Sequence, residues 1–569
     1  MSDALNSFSP ALSLPILAVE KSARYLHPMG RFYILFLMLI LSTISVLYEM
    51  NLASMLSLYL EDSSSQYAIV IGLYLLALGA GAYSIPPDIN SPLKKLLSTE
   101  ILLSLAGVLS PIYILSIASW LFEYSLALPL YYIPVLIIGY YSGKELPLLL
   151  KTKGADNFAT ILSVSYFGSL LASLLFALFL FPNMEAGKIS AIAAICNLLA
   201  AALIAFSETS WRYLSISALL PISLFLFYFS NLSQNFYKNA FESYVNTLWE
   251  NVTLEQFHQF QTSYQTVTEV KATCSDRNGK KLYSERGIFL DRELQFSESS
   301  LNAWHSGFAL SHLLYPVEHS KILILGGGDG FLASRLLKSQ KISHVDIVEL
   351  DPDFSEFMKN HPFWSQWNET AFNDPRVEWH FDDASSWTRV HMKSNLYNTV
   401  LMDLASINTR HKSLSLYSKE MFASIRNSLI LKGVFCLWIY ESETHRAALL
   451  STAKAAGFRY YQILSAFSID SLYQGYYSKK ESSTILQDFL LLCADKPQNK
   501  ETEHLSSYEK TLVAVNTPKW LPIPHSNVAP NSIFRPNRAL APQKRVYIRQ
   551  NPIQLILKNQ EKQNSDHLH

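Results

Sequence analysis

Acidic residues stand immediately behind a series of short apolar runs: Asp329 after KILILGGG, Glu349 after HVDIV, Asp382 and Asp383 after RVEWHF, and Asp403 after YNTVLM. Gly326, Gly328 and Gly330 interrupt the first of these turns. Glycine permits backbone to come close to a bound nucleoside while a helix opens. In doubly wound sheets ligands sit at the carboxyl ends of the strands, and no Lys or Arg stands among these ends. A pyrophosphate would be repelled by such a set, whereas a cationic sulfonium nucleoside would be attracted. The dinucleotide fingerprint begun at Gly326 fails at Phe331, although Gly328-Asp-Gly330-Phe-Leu-Ala333 fits the looser G-x-G-x-x-A form, so NAD stays open. Taken singly, Glu349 is placed to accept both ribose hydroxyls, and Asp383 to accept from an adenine amino group. Asp403 is placed to take a proton from an attacking nucleophile. Any one of them alone reads equally well as a solvated loop acid.

The elements that must position these groups read as strand and helix in alternation from Lys321 onward, with strands KILIL, HVDIVEL, RVEWHF, YNTVLMDL and GVFCLWIY. That order predicts a doubly wound parallel sheet. Ahead of it, Thr262 to Thr273 and Tyr283 to Leu290 read as strands around Asn278-Gly279, the strongest short hairpin signal, which predicts a small antiparallel sheet. Beyond Pro497 the chain turns polar, with six prolines between Thr517 and Pro542, and reads as an extended tail that wraps the domain before a disordered end.

The first 230 residues are of another kind. With 569 residues, 49% hydrophobic and only 16% charged, the chain needs at least two unlike parts. About seven apolar runs of near-spanning length occupy Phe32 to Ser230. Gly72, Gly79 and Gly81 in the second run and Ser163, Gly168, Ser169 and Ser173 in the fifth suit close helix packing. Lys144 and Glu145 read either as an intramembrane polar site or, more simply, as a paired interfacial loop. Equal numbers of basic and acidic residues, 46 of each, argue against nucleic acid as a partner. The four cysteines, Cys196, Cys274, Cys436 and Cys493, are far apart and suggest neither a disulfide framework nor a metal site. Lys and Arg at the N-terminus and at Lys94/Lys95, Lys144/Lys151/Lys153 and Arg212 mark the cytoplasmic side by the positive-inside rule. Seven spans would then put the C-terminal half outside.

LILGGGDG (Leu323 to Gly330), VDIVELD, DPRVEWHFDDA and YNTVLMD resemble, in order and spacing, the spermidine synthase family of polyamine aminopropyltransferases. SYQ at Ser263 to Gln265 and LDRELQFSESSLNAWHSG at Leu290 to Gly307 resemble that family's N-terminal hairpins and the start of its first helix. The resemblance covers roughly residues 256 to 495 and points to the subset with a multi-span N-terminal membrane domain. It implies an all-α transmembrane bundle followed by a small antiparallel β domain and an α/β, class I methyltransferase-like doubly wound sheet. The expected division is a tail at 1–30, the membrane domain at 31–230, a linker at 231–255, the β domain at 256–315, the nucleoside-binding catalytic domain at 316–495 and the tail at 496–569. It implies decarboxylated S-adenosylmethionine as co-substrate, no metal, and a diamine or polyamine as acceptor in a multi-pass bacterial inner-membrane protein, compatible with a homo-oligomer. Because the donor is made inside cells, a cytoplasmic catalytic domain is expected, in conflict with the span count.

By the same resemblance Gln265, Gly326, Gly328, Gly330, Glu349, Asp383 and Ala384 hold the nucleoside. His305, Asp329 and Ser406 face the amine, and Asp403 accepts the proton. Asp329 would oppose the carboxylate of intact S-adenosylmethionine and favour the decarboxylated donor. The family's D-S-S-D-P reads Asp403-Leu404-Ala405-Ser406-Ile407 here, so Ser406 replaces an acid that anchors the amine; Glu441 or Asp470 are candidates to substitute, and Tyr417 to line the amine channel. This leaves putrescine in doubt as acceptor. The competing readings are an S-adenosylmethionine-dependent methyltransferase and a non-catalytic polyamine or nucleoside sensor.

Overall fold

The computed structural model of the protein describes residues 31–60, 63–120, 125–153, 158–208, 217–230, 232–248, 251–275, 279–298, 300–404, 415–439, 443–467 and 485–497, with scattered positions from 502 to 531. The N-terminal half is helical: α1 (Arg31–Leu60), α2 (Ser63–Tyr83), α3 (Pro92–Trp120), α4 (Ile133–Ser142), α5 (Glu145–Lys153), α6 (Phe158–Leu175), α7 (Ala186–Glu208) and α8 (Leu219–Tyr228). Six of the apolar stretches they form are long enough to cross a membrane, with α4 and α5 sharing one and α6 running on to Asn183. Of the seventh expected run, residues 213–216 lie outside the described ones, and the described part holds α8, whose ten residues rise about 15 Å, half of a hydrocarbon core. Its far end is tied into the bundle, since Tyr228 Oη donates to the Val108 carbonyl at 3.0 Å.

Small residues set the closest approaches. A Cβ on Gly81 would lie 1.9 Å from the Tyr140 carbonyl oxygen, one on Gly143 2.0 Å from that of Leu78, and one on Gly168 2.1 Å from Ser42 Oγ. Gly72 and Gly79 meet nothing within 4 Å, so the small-residue expectation holds at Gly81 and Gly168 but not there.

Residues 231–255, read from sequence as a linker, hold a helix, α9 (Leu232–Leu248), and the start of strand β1 (Val252–Gln261). The linker reading fails because α9 is strongly amphipathic in pattern and buries Tyr237, Ala240, Phe241, Tyr244 and Val245. It docks the C-terminal half on one end of the bundle. Gly187 N–H donates to Tyr237 Oη at 3.2 Å, Gln234 Nε2 donates to Glu185 Oε1 at 3.0 Å, and Leu115, Tyr237 and Ala240 share a core with Tyr59. Tyr59, Leu115 and Gly187 mark the ends of α1 and α3 and the start of α7. Lys94 and Lys95 lie at the other end of α3, where Lys151 Nζ also donates to the Pro87 carbonyl at 3.2 Å. The C-terminal half therefore sits on the bundle face away from these lysines.

Strands β1, β2 (Thr266–Ser275), β3 (Lys281–Leu290) and β4 (Glu293–Ser297) form an antiparallel sheet in sequential order. Gly279 has φ +79 in the expected β2–β3 turn, while Asn278 lies outside the described residues. The β3–β4 turn places Asp291 and Arg292 at φ 48 and φ 72, and the buried Arg292 guanidinium packs 4.6 Å over Tyr59 and 3.8 Å over Tyr244. That stack is a second joint between the sheet and the bundle.

Helix α10 (Leu301–Leu313) leads into the main sheet of β5 (Ser320–Gly326), β6 (Ile342–Glu349), β7 (Val377–Phe381), β8 (Tyr397–Asp403), β9 (Leu429–Ile439), β10 (Tyr460–Phe467), β11 (Ile485–Cys493) and the two-residue β12 (Leu521–Pro522). Helices α11 (Phe331–Leu336), α12 (Pro352–Asn360), α13 (Ser365–Asn373), α14 (Ala384–His391), α15 (Lys419–Ser428) and α16 (Glu443–Ala455) connect them. The strand order is 12-10-11-9-8-5-6-7. The five strands read from sequence are parallel as expected, whereas β10, β11 and β12 pair antiparallel, making the sheet mixed. The chain winds from β5 outward through β6 and β7, then returns to β8 on the other side, so a topological switch opens between β5 and β8. Described parts of the tail fold back on this domain: Asn531 Nδ2 donates to the Tyr417 carbonyl at 3.0 Å, and Glu509 pairs with Arg335 at 3.1 Å.

Candidate active site

The switch point is where the expected groups converge. Gly326, the last residue of β5, stands in register with Asp403, the last of β8. Its φ of +88 suits glycine, and a Cβ there would lie 2.0 Å from the Asp403 carbonyl oxygen. Gly327 N–H donates to that same carbonyl at 3.1 Å, and Gly330, at φ +75, forms the N-cap of α11. Gly328 differs: no left-handed φ requires it, but a Cβ would stand 2.6 Å from Glu349 Oε2. The need is close approach, and the Gly328 N–H uses it to donate to Glu349 Oε2 at 2.9 Å.

Glu349 ends β6, and its other oxygen accepts from the N–H groups of Leu350 and Asp351 at 2.7 and 2.9 Å. Burial pushes its carboxyl up to about 7, partly offset by the Asp351 N–H. Asp351, which sequence reasoning left without a role, ties the two sheets together. It caps α12 through Phe354 N–H, and its Oδ2 accepts from Thr262 Oγ1 at 2.7 Å and Gln265 Nε2 at 2.8 Å. Gln265 is thus held from the β1–β2 turn beside the residues that follow β6.

Asp403 carries the central geometry. Its Oδ2 is buried and makes no hydrogen bond among the described residues. Burial first, and the charge of Asp329 second, raise its carboxyl to about 7, with His305 pulling the other way. Asp329 Oδ1 accepts from Phe331 N–H at 2.8 Å, and its Oδ2 lies 3.8 Å from His305 Nε2. His305 is held by Leu301, whose carbonyl is 2.7 Å from Nδ1. Burial alone would lower the His305 pKa, but Asp329 and Asp403 raise it above the ordinary value. Asn368, another residue with no sequence signal, donates to the Asp329 carbonyl at 2.8 Å and fixes that turn.

Other expected residues are less central. Asp383 is exposed and caps α14, its Oδ1 accepting from Ser386 N–H at 2.8 Å, with Ala384 buried as the first residue of that helix. Tyr417 is buried, its hydroxyl raised in pKa by burial and then by Asp403 and Glu293. Ser406, Glu441 and Asp470 lie outside the described residues. Toward the amino ends of β6 and β7, His344, Asp346 and Glu378 form a group with metal-ligand chemistry, joined by His380 at 2.8 Å from Asp346, but none of these residues belongs to the switch-point site.

A buried carboxylate oxygen with no partner among the described residues, a second carboxylate held by backbone N–H groups and a glycine turn thus meet at the switch point. Residues 305–468 match the spermine/spermidine synthase domain. The chain is 26% identical over 418 residues to polyamine aminopropyltransferase 1 of Streptomyces coelicolor, covering 72% of this chain and 76% of that one. It is 28% identical over 434 residues to polyamine aminopropyltransferase 2 of Aquifex aeolicus, covering 74% and 82%. A solved spermidine synthase from Thermotoga maritima aligns with 47% of this chain and 85% of its own at 16% identity and a TM-score of 0.35. Gly326, Gly328, Glu349 and Asp403 of the switch point all lie inside the stretch that matches the spermine/spermidine synthase domain.

Proposed function

We propose that this protein is a membrane-anchored polyamine aminopropyltransferase that moves an aminopropyl group from decarboxylated S-adenosylmethionine to an amine. The observation that carries the reading is the buried Asp403 Oδ2, unpartnered and raised to about 7 beside Asp329 and His305. A carboxylate so placed becomes a competent proton acceptor near neutral pH. Glu349 and Gln265, with the backbone of Gly328, would hold the nucleoside. Asp329 would favour a donor that ends in an ammonium over one that ends in a carboxylate.

In the proposed reaction the lone pair of a neutral primary amine attacks the methylene carbon next to sulfur. The carbon–sulfur bond breaks with its electron pair going to sulfur, which leaves as the thioether methylthioadenosine. The new secondary ammonium then gives its proton to Asp403. The six long apolar helices support anchoring in a lipid bilayer. The positive-inside rule, applied to Lys94, Lys95 and Lys151 at the far end of the bundle, favours the non-cytoplasmic face for the catalytic half. This departs from the cytoplasmic placement that the donor's origin suggested. Thiol labelling of single cysteines introduced at exposed Val390 and beside Lys94 in intact cells tests the side: reagent that cannot cross the membrane should reach position 390 alone.

Purified protein given decarboxylated donor and a panel of diamines and polyamines should release methylthioadenosine, and Asp403→Asn should abolish it. Accumulation of S-adenosylhomocysteine from intact S-adenosylmethionine would instead establish a methyltransferase. Tight donor binding by calorimetry with no product from any amine would establish a sensor.

A further inference from the structure

The membrane bundle holds a second acidic site that the aminopropyl transfer does not use. Glu100 in α3 is 0% exposed and Glu145, the first residue of α5, is 3% exposed. Leu96 and Leu97, one turn before Glu100, share a core cluster with Leu148 and Leu149, one turn after Glu145. The two helices thus carry both carboxylates to one layer, where Glu145 feels the charge of Glu100.

Around them, acceptors outnumber donors. Asn197 Nδ2 donates to Glu100 Oε2 at 2.6 Å, which leaves Glu100 Oε1 and Asn197 Oδ1 buried with no hydrogen-bond partner among the described residues. The Tyr48 hydroxyl, on a residue 1% exposed, lies within reach of the charges of both Glu100 and Glu145 and is also unpartnered. Lys144 does not neutralise the pair: its Nζ sits 4.1 Å over the Tyr140 ring and 4.9 Å over that of Tyr141. Among the described residues neither glutamate has an ion-pair partner. The sequence-level pairing of Lys144 with Glu145 therefore gives way to a Glu100–Glu145 pair inside the bundle.

Ionisable groups held inside a membrane domain mark ligand or ion pathways, and orphaned buried oxygens call for a donor. An alkylammonium group brings three N–H donors and a positive charge, which matches two carboxylates, an amide oxygen and a phenol. We propose that Glu100, Glu145, Asn197 and Tyr48 form an intramembrane site for the ammonium end of a diamine or polyamine. The choice of an organic amine rests on the aminopropyl-transfer reading; the cation site itself does not.

The test uses the full chain in lipid nanodiscs and a hydrophobic carbodiimide, which modifies buried carboxyl groups, with the modified glutamates mapped by mass spectrometry. Putrescine or spermidine should protect Glu100 and Glu145, while sodium chloride at equal ionic strength should not. Glu100→Gln and Glu145→Gln should raise the amine concentration needed for protection of the remaining glutamate about tenfold or more. Tyr48→Phe removes a hydroxyl that bonds to nothing, so the bundle should stay folded while protection weakens severalfold. Methylthioadenosine formation at saturating amine should be unchanged in all three variants. Protection by sodium but not by amine, or labelling indifferent to amine in the wild type and in Tyr48→Phe, would overturn the proposal. Protection by amine in a preparation that forms no methylthioadenosine would sink the transferase reading and leave the cation site standing.

Discussion

Asp403→Asn should separate stability from catalysis. The wild-type carboxyl rises from 3.8 to about 7 on folding, which corresponds to about 4 kcal/mol of unfavourable charge burial once it is ionised. Because the folded state holds this proton more tightly than the unfolded chain, the cost is absent below the unfolded value. It grows as pH rises through the interval from 3.8 to about 7 and is complete above it. Asparagine has nearly the same shape and no charge, so the variant escapes the cost, less whatever its amide loses by facing the same unpartnered space. We therefore expect Asp403→Asn to unfold at a higher temperature than wild type at pH 8, by an amount equivalent to roughly 1 to 3 kcal/mol after relaxation and water penetration. The difference should shrink toward pH 5, and methylthioadenosine formation should be lost at every pH. Thermal scans of the detergent-solubilised full chain at both pH values, read as differences between variants, check the sign. An Asn variant less stable than wild type at pH 8, or one retaining turnover, would refute the account of Asp403.

The remaining expectations concern the pH profile, the glycine turn, the cap and the domain joint. If Asp403 must be ionised to accept the proton, kcat/KM for the donor, measured with the neutral form of the amine held saturating at each pH, should climb about tenfold per pH unit below its value of about 7 and level off above it; a profile flat from pH 5 to 8 contradicts this. Gly328→Ala places a Cβ 2.6 Å from Glu349 Oε2, so donor KM should rise about tenfold or more, with about 1 to 3 kcal/mol of lost stability. Asp351→Ala removes the cap of α12 and the acceptor for Thr262 and Gln265. It should cost about 1 to 3 kcal/mol and weaken donor binding in calorimetry. Arg292→Ala removes the stack on Tyr59 and Tyr244 and should loosen the joint between sheet and bundle by about 1 to 2 kcal/mol, seen as faster proteolytic cutting after α9.

What could be read from the chain alone divides along the range of the forces involved. Gly326, Glu349 and Asp403 were legible because a glycine turn and strand-end acids are local signals, and the strand order places them together whatever the side chains do. Asp351 and Asn368 were not, because their partners lie far along the chain: Thr262 is separated from Asp351 by 89 positions, and Asp329 from Asn368 by 39. The antiparallel strands β10 and β11 also escaped, since pairing direction leaves no trace in an apolar run such as ILQDFLLLC. In the apolar helical half, Lys144 beside Glu145 suggested a local pair. Packing turned the lysine onto Tyr140 and Tyr141 and brought the glutamate within the electrostatic reach of Glu100, a residue to which the sequence reading gave no role. Asp383, a strand-end acid assigned to the site from sequence, is exposed and also caps α14 through Oδ1, a local role that the sequence reading did not include.

The most direct measurement is product analysis by mass spectrometry after incubating the purified chain with decarboxylated S-adenosylmethionine and each of several amines. Methylthioadenosine together with an amine heavier by one aminopropyl group is the predicted result. Unreacted donor with every amine, alongside methylation of an acceptor from intact S-adenosylmethionine, would contradict the assignment.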